Sequence, residues 1–174
     1  MVSVPVDEGI VYSWANSEWN GNKSLSATEL SAALGMKSGE LADGTKIDAG
    51  LKEVRKAYAR KGHIDLRTRE SYEFDDSAHW VTYRFAITEG PQYHMGALVI
   101  NGLAPDLTQE LKQSWTLAPG AVFDESNVED FRLNAMPKFI GTQMQRSLAF
   151  HATAQTVTRP DAQKLTVDVI ITFK

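Results

Sequence analysis

The stretch FAITEGPQYHMGALVINGL, Phe85–Leu103, holds two apolar runs broken by Glu89-Gly90-Pro91. Whether that break is a hairpin turn or the joint between two domains decides the fold. A two-residue hairpin favours Asn-Gly or Asp-Gly, whose positive φ turns the chain back on itself. Pro91 instead fixes its own φ, lacks an amide donor and biases the residue before it toward extended geometry. The chain therefore runs on, and the break reads as a connector.

The flanking sequence agrees, because it repeats. Shifted by 81 positions, Tyr12 meets Tyr93, Asn20-Gly21 meets Asn101-Gly102, Glu29-Leu30 meets Glu110-Leu111, Gly39 meets Gly120 and Asp43 meets Asp124. Matched positions also do matched work. Ser26 and Glu29 form the capping box of a first helix, with Asp106 and Gln109 expected in those roles in the second copy. Leu30 and Leu34 correspond to Leu111 and Trp115, one buried face at i, i+4. Gly39 and Gly120 are expected where that helix stops and the chain turns.

A second helix is expected to begin at Thr45…Asp48, matched by Ser126…Glu129. Ile47, Leu51, Val54 and Tyr58 form its buried stripe and Gly62 its C′ stop. In the second copy Val128, Ala135 and Phe139 keep the stripe, Arg132 replaces Leu51, and Pro137 is expected to kink or shorten the helix. Each copy closes with a hairpin. One turns at Asp75-Asp76-Ser77 into an alternating strand through Val81, Tyr83, Phe85 and Ile87. The other turns near Thr158–Lys164 into Leu165, Val167, Val169, Ile171 and Phe173. The fold class is α+β, two tandem β-α-α-β-β domains at residues 1–89 and 90–174, with Glu89, Gly90, Pro91 and Tyr93 at the joint.

The bulk properties fit this. The 174 residues are 43% hydrophobic and 23% charged, enough for two small cores. A net charge of −4 argues against general phosphate-backbone binding, so no nucleic acid is expected. With no cysteine there is no disulfide framework, thiolate metal site or thiol nucleophile. The opening MVSVPVDEGI has no signal-peptide pattern. The chain is expected to be a fragment of something larger.

These features together resemble tandem POTRA (polypeptide-transport-associated) domains, which precede the membrane barrel of outer-membrane assembly factors and surface-antigen-type transporters. The resemblance rests on Gly39-Glu40-Leu41 and Gly120-Ala121-Val122 before helix two, on Tyr58 to Gly62 at its end, on the joint Glu89-Gly90-Pro91-x-Tyr93, and on the strand-end Asn-Gly. It implies a three-stranded mixed sheet per copy, with two helices on it and the last strand central. It also implies a non-catalytic periplasmic scaffold without a cofactor, meeting unfolded outer-membrane clients or accessory subunits. Its setting would be the periplasmic side of the bacterial outer membrane, with membrane association through a barrel outside the fragment. The fragment itself is expected to be monomeric.

Candidate sites follow. An open sheet edge can accept an extended chain as an added strand, so the strands before each apolar central strand are candidates. These are Asp65, Leu66, Arg67, Thr68 and Arg69 in the first copy, and Ala149, His151, Thr153 and Gln155 in the second. Arg67 and Arg69 supply the charge that blunts an edge. His63, His79, His94 and His151 lack ligand spacing and read as ordinary histidines, so no metal is expected. No nucleophile elbow is present. The alternatives are an enzyme or small-ligand-binding protein with a site between the halves, and a spacer. On a polar first strand with Glu18, either Trp14 and Trp19 pack on the helices, or Trp14 lies exposed because an upstream domain is missing.

Overall fold

The computed structural model describes residues 9–147 and 152–174. In the first copy β1 (Ser13–Asn20) is followed by α1 (Ala27–Leu34), α2 (Gly44–Ala59), β2 (Arg67–Asp75) and β3 (Trp80–Thr88). In the second, β4 (His94–Asn101) is followed by α3 (Pro105–Lys112), α4 (Glu125–Asp130), a π-helical segment (Phe131–Ala135), α5 (Met136–Arg146), β5 (Ala154–Asp161) and β6 (Thr166–Phe173). Two three-stranded sheets result, ordered β1-β3-β2 and β4-β6-β5. The first strand pairs in parallel with the last, and the last antiparallel with the one before it. The expected mixed sheet with a central last strand is what forms.

The chain clusters into two compact units. One joins the residues up to Arg55 with Leu66–Glu89, the other Lys56–Asp65 with Gly90–Lys174. Lys56–Asp65 falls with the second unit because Ile64 packs against that unit's core, and because the backbone amide of Tyr93 donates to the Gly62 carbonyl at 2.9 Å.

In the first unit the buried side chains include Trp14, Leu30, Leu34, Ile47, Leu51, Val54, Val81, Phe85 and Ile87, the expected faces of two helices and a half-buried strand. Trp14 is buried and Trp19 half-buried, so neither is left bare. The polar first strand has a simple cause. Glu18 lies on the sheet's other face, where its carboxylate meets Arg84 Nε at 2.7 Å. In the second unit Tyr93, Met95, Leu111, Phe123, Val128, Phe131, Met136, Phe139 and the inward residues of β6 form one cluster.

Several boundaries differ from expectation. Helix α1 has its capping box at Ser26 and Glu29 but ends at Gly35, in left-handed conformation, before Gly39 is reached. Helix α3 has Ala104 at its N-cap, with Pro105 opening the helix and Asp106 in the first turn without a cap bond. The second helices are capped two residues earlier than expected. Asp43 accepts from the Thr45 amide and Asp124 from the Ser126 amide, at 2.8 and 2.9 Å. Gly62 does stop its helix. The amides of Gly62 and His63 return to the carbonyls of Ala59 and Tyr58, a Schellman closure.

Pro137 does not shorten its helix, which continues to Arg146. Its missing amide and its ring conflict with the carbonyl four residues back, at Leu133. The helix widens there instead, with the Met136 amide reaching the Phe131 carbonyl. The buried positions therefore run Val128, Phe131, Met136, Phe139 and Gln143, with Ala135 half-buried and Arg132 exposed. The repeat of 81 breaks here.

It resumes in the hairpins at an offset of 86, pairing Val81 with Val167, Phe85 with Ile171 and Ile87 with Phe173. The expected second turn near Thr158–Lys164 lies later, because Arg159, Pro160 and Asp161 still belong to β5. The turns themselves match. Asp75 accepts from the amides of Ser77 and Ala78, Asp161 from those of Gln163 and Lys164, all at 3.0 Å. His79 and Leu165 close them at φ 57° and 52°.

One position shows how the two copies reach the same packing. Gly50 lets α2 approach the end of α1 so closely that a Cβ there would overlap the Leu34 carbonyl oxygen. Its partner at 81 is Phe131, whose ring meets that of Trp115, the partner of Leu34, at 5.2 Å. Gly50→Ala should therefore cost about 1–3 kcal/mol by forced displacement. Gly141→Ala, in α5 with open space around the added methyl, should instead stabilise by up to about 1 kcal/mol. Denaturant midpoints moving in opposite directions check the pair.

Candidate functional site

The Gly-x-hydrophobic motif of each copy forms a clasp on the outer edge of the first strand. In the first copy the Trp14 amide donates to Glu40 O, the Gly39 amide to Trp14 O and the Ala42 amide to Tyr12 O, at 2.7–3.0 Å. In the second, the Met95 amide donates to Ala121 O, Gly120 to Met95 O and Phe123 to Tyr93 O, at 2.7–2.9 Å. Leu41 and Val122 sit in the corresponding isolated bridges. One edge of each sheet is thus covered along its first half. Strands β2 and β5 form the other edges.

Which backbone groups of those strands point outward can be read from one pair. Thr153 and Lys174 exchange both amide bonds at 3.0 Å. Regular antiparallel alternation then turns Gln155, Val157, Arg159 and Asp161 toward β6, and Ala154, Thr156, Thr158 and Pro160 outward. Pro160, with no amide proton, stands at an outward position, where a proline leaves the ladder intact. The matched hairpin carries the same phase into β2. Thr68, Glu70, Tyr72 and Phe74 face outward, while Arg67, Arg69, Ser71, Glu73 and Asp75 face β3.

The expected edge residues divide accordingly. Asp65 and Leu66 precede β2, and Asp65 Oδ2 accepts from the Tyr93 hydroxyl at 2.8 Å. Arg67, Thr68 and Arg69 lie in β2, but only Thr68 directs its backbone outward. Thr153 precedes β5, and like Gln155 it turns its backbone to β6. Ala149 and His151 lie outside the described residues.

The residues expected at the joint are engaged structurally. The Glu89 carboxylate accepts from the amides of Lys23 and Ser24 at 2.6 and 2.8 Å and from the Ser24 hydroxyl at 3.0 Å. Gly90 adopts φ 70°, and its carbonyl lies 3.3 Å from His63 Nδ1. Pro91 is exposed and Tyr93 buried. Hydrogen bonding to Asp65 raises the Tyr93 phenol above its ordinary range. Among the described residues no group of three or more His, Asp or Glu side chains is placed to hold a metal ion.

The side chains flanking β2 differ by face. Glu18 and Glu73 both bind Arg84, which raises the guanidinium's pKa, with the bond to Glu18 foremost. On the helix side Tyr72 and Phe74 are 59% and 50% exposed, beside the open edge. Sequence reasoning passed over this aromatic pair. The period-2 pattern in Arg67–Asp75 held the signal, but the charged residues between the aromatics dominated the reading.

Residues 12–90 match the POTRA family, described as surface antigen variable number repeat. A curated protein of Treponema pallidum (strain Nichols), named as an outer membrane protein assembly factor, is 21% identical over 166 residues. That match covers 95% of this chain but 19% of the relative, so the chain spans about a fifth of its length. The crystal structure of POTRA domains 3 to 5 of BamA from Haemophilus influenzae superposes with a TM-score of 0.69 at 18% identity, covering 99% of this chain and 69% of that one. BamA from Haemophilus ducreyi lacking POTRA domains 1 to 3 gives 0.65 at 16% identity, over 94% and 29%. The whole described chain has the fold of tandem POTRA domains.

The Tyr93–Asp65 bond gives a test with a defined sign. Its contribution is complete while the phenol is neutral, below its unfolded value of about 10, and is lost as pH rises through the raised folded value. Tyr93→Phe should lower the denaturation midpoint at pH 7. That deficit should shrink as pH rises from about 10 through the phenol's raised folded value. Denaturant titrations at pH 7 and along that alkaline range read the difference.

Proposed function

We propose that this chain is a non-catalytic scaffold on the periplasmic side of a bacterial outer membrane, built from POTRA domains at residues 1–89 and 90–174. It would hold unfolded outer-membrane clients or accessory subunits beside a barrel that lies beyond this sequence. The mode is strand addition at an open sheet edge. One observation carries this reading. Each sheet is clasped on its first strand and, among the described residues, has no strand paired on the outer side of β2 or β5, with backbone donors and acceptors facing out at every second residue.

Main-chain pairing suits a client that must be handed on, because it holds extended chain with little regard for side chains. Affinity is expected to be weak, since ordering a flexible peptide offsets much of the hydrogen bonding. The POTRA family match and the similarity to an outer-membrane assembly factor support the setting.

Proline at an outward position removes a donor the fold does not use, as Pro160 does already. Thr68→Pro and Thr158→Pro should therefore stay folded by circular dichroism. Each should lose binding of labelled barrel-strand peptides at its own edge, seen as vanished amide shifts in β2 or β5. Unchanged binding in both folded variants, or shifts confined to the helices, would overturn the edge-pairing mode.

A further inference from the structure

We propose that the two open edges are not equivalent. The edge of β2 selects an extended segment with large apolar side chains at alternate positions and acidic residues on its other face, while β5 lacks that selectivity. This rests on the strand-addition reading above and names the chemistry of the preferred client.

The observation is an aromatic row that, among the described residues, reaches the open edge in the first copy and not in the second. On the helix side of the first sheet Trp19 stacks on Phe85 at 4.5 Å, Phe85 lies 5.9 Å from Tyr83, and Tyr83 lies 5.6 Å from Tyr72. Tyr72 meets Phe74 at 5.3 Å, and Phe74 meets Tyr12 at 4.5 Å. The Tyr12 hydroxyl donates to Asp76 Oδ1 at 2.6 Å, which holds that ring in place behind Phe74. The inner members are buried or half-buried, but Tyr72 and Phe74 emerge at the edge more than half or about half exposed. They also stand among the residues whose backbone groups face outward. A strand laid on β2 would thus place its own side chains directly against both rings, at cross-strand distances where aromatic and apolar pairs contribute most.

The opposite face sets the charge. Arg67 and Arg69 project from the first half of β2, exposed and without an ion-pair partner among the described residues. Glu73, farther along the same face, is already taken by Arg84. The free charge on that face near the start of β2 is therefore positive, and acidic side chains on the added strand complement it.

At matched positions the second copy has Thr158 and Pro160 in place of Tyr72 and Phe74, and Val169, Ile171, Met95 and Ile100 in place of Tyr83, Phe85, Trp14 and Trp19. Among the described residues its edge offers hydrogen bonds but no ring surface, and Pro160 removes one donor.

The test uses the whole chain and three ten-residue peptides of equal length. One alternates aromatic and acidic residues, one has the same composition with the alternation scrambled, and one alternates threonine and serine. Amide shifts report which edge binds. The alternating aromatic peptide should perturb β2 and bind about tenfold more tightly than the Thr/Ser peptide. Tyr72→Thr/Phe74→Thr, which keeps good strand formers at the edge, should erase that preference while leaving weak Thr/Ser binding intact; either single variant should remove part of it. Equal perturbation of β2 and β5, untouched by the double variant, would overturn the selectivity while leaving strand addition standing. Absence of shifts at either edge with every peptide would overturn both. A concentration-dependent dimer in sedimentation, lost in the double variant without any peptide preference, would assign the rings to a second copy of this chain and likewise overturn the proposal.

Discussion

In each copy the first strand hydrogen-bonds in parallel with the last, Trp14 beside Val81 and Met95 beside Val167. Parallel neighbours cannot be joined by a tight turn, so the chain between them must cross over, and here it does so through two helices and a hairpin strand. The last strand is thereby flanked on both sides, which is why Val81, Phe85 and Ile87, or Val167, Val169 and Ile171, can be so apolar. The penultimate strand is pushed to the rim and carries charge instead. The clasp of Gly39–Ala42, or of Gly120–Phe123, then covers the opposite rim. An open edge on β2 and β5 is a consequence of that one parallel pair.

Within this frame the two copies solve local problems differently. Where the first brings two helices together across Gly50, the second fills the space with Phe131 against Trp115. On the helix-free face the first sheet holds Arg84 between Glu18 and Glu73, whereas the second sets Val99 and Val157 on either side of Ile170. Both frames keep the bulge in their first strand, after Trp14 and after Met95, and in the second the Ala97 amide left over finds the Asp168 carboxylate at 2.7 Å. Topology is common to both; surface chemistry is individual.

Periodicity and punctuation carried most of the fold into view. Alternation in Val81–Ile87 and Leu165–Phe173 marked the central strands, the stripe Ile47–Tyr58 marked a helix, and Gly62 its end. These are local properties, dictated by which side chains a pleated or helical backbone sends to one face. The offset of 81 made the second copy legible from the first. Its break inside the Phe131–Ala135 turn was not, because a widened turn depends on where Pro137 falls against the carbonyls before it and on which residues the core then accepts.

The sequence by itself determined that there are two β-α-α-β-β units and which strands are buried. Tertiary structure alone decided what each edge presents. Whether Thr68 or Arg67 turns its backbone outward depends on hydrogen-bond phase across β2 and β3, which a one-residue slip would reverse. Whether Tyr72 and Phe74 lie under a helix or stand bare depends on how far the helices reach across the sheet. Neither quantity is local to the residues concerned, since both are set by partners far away along the chain.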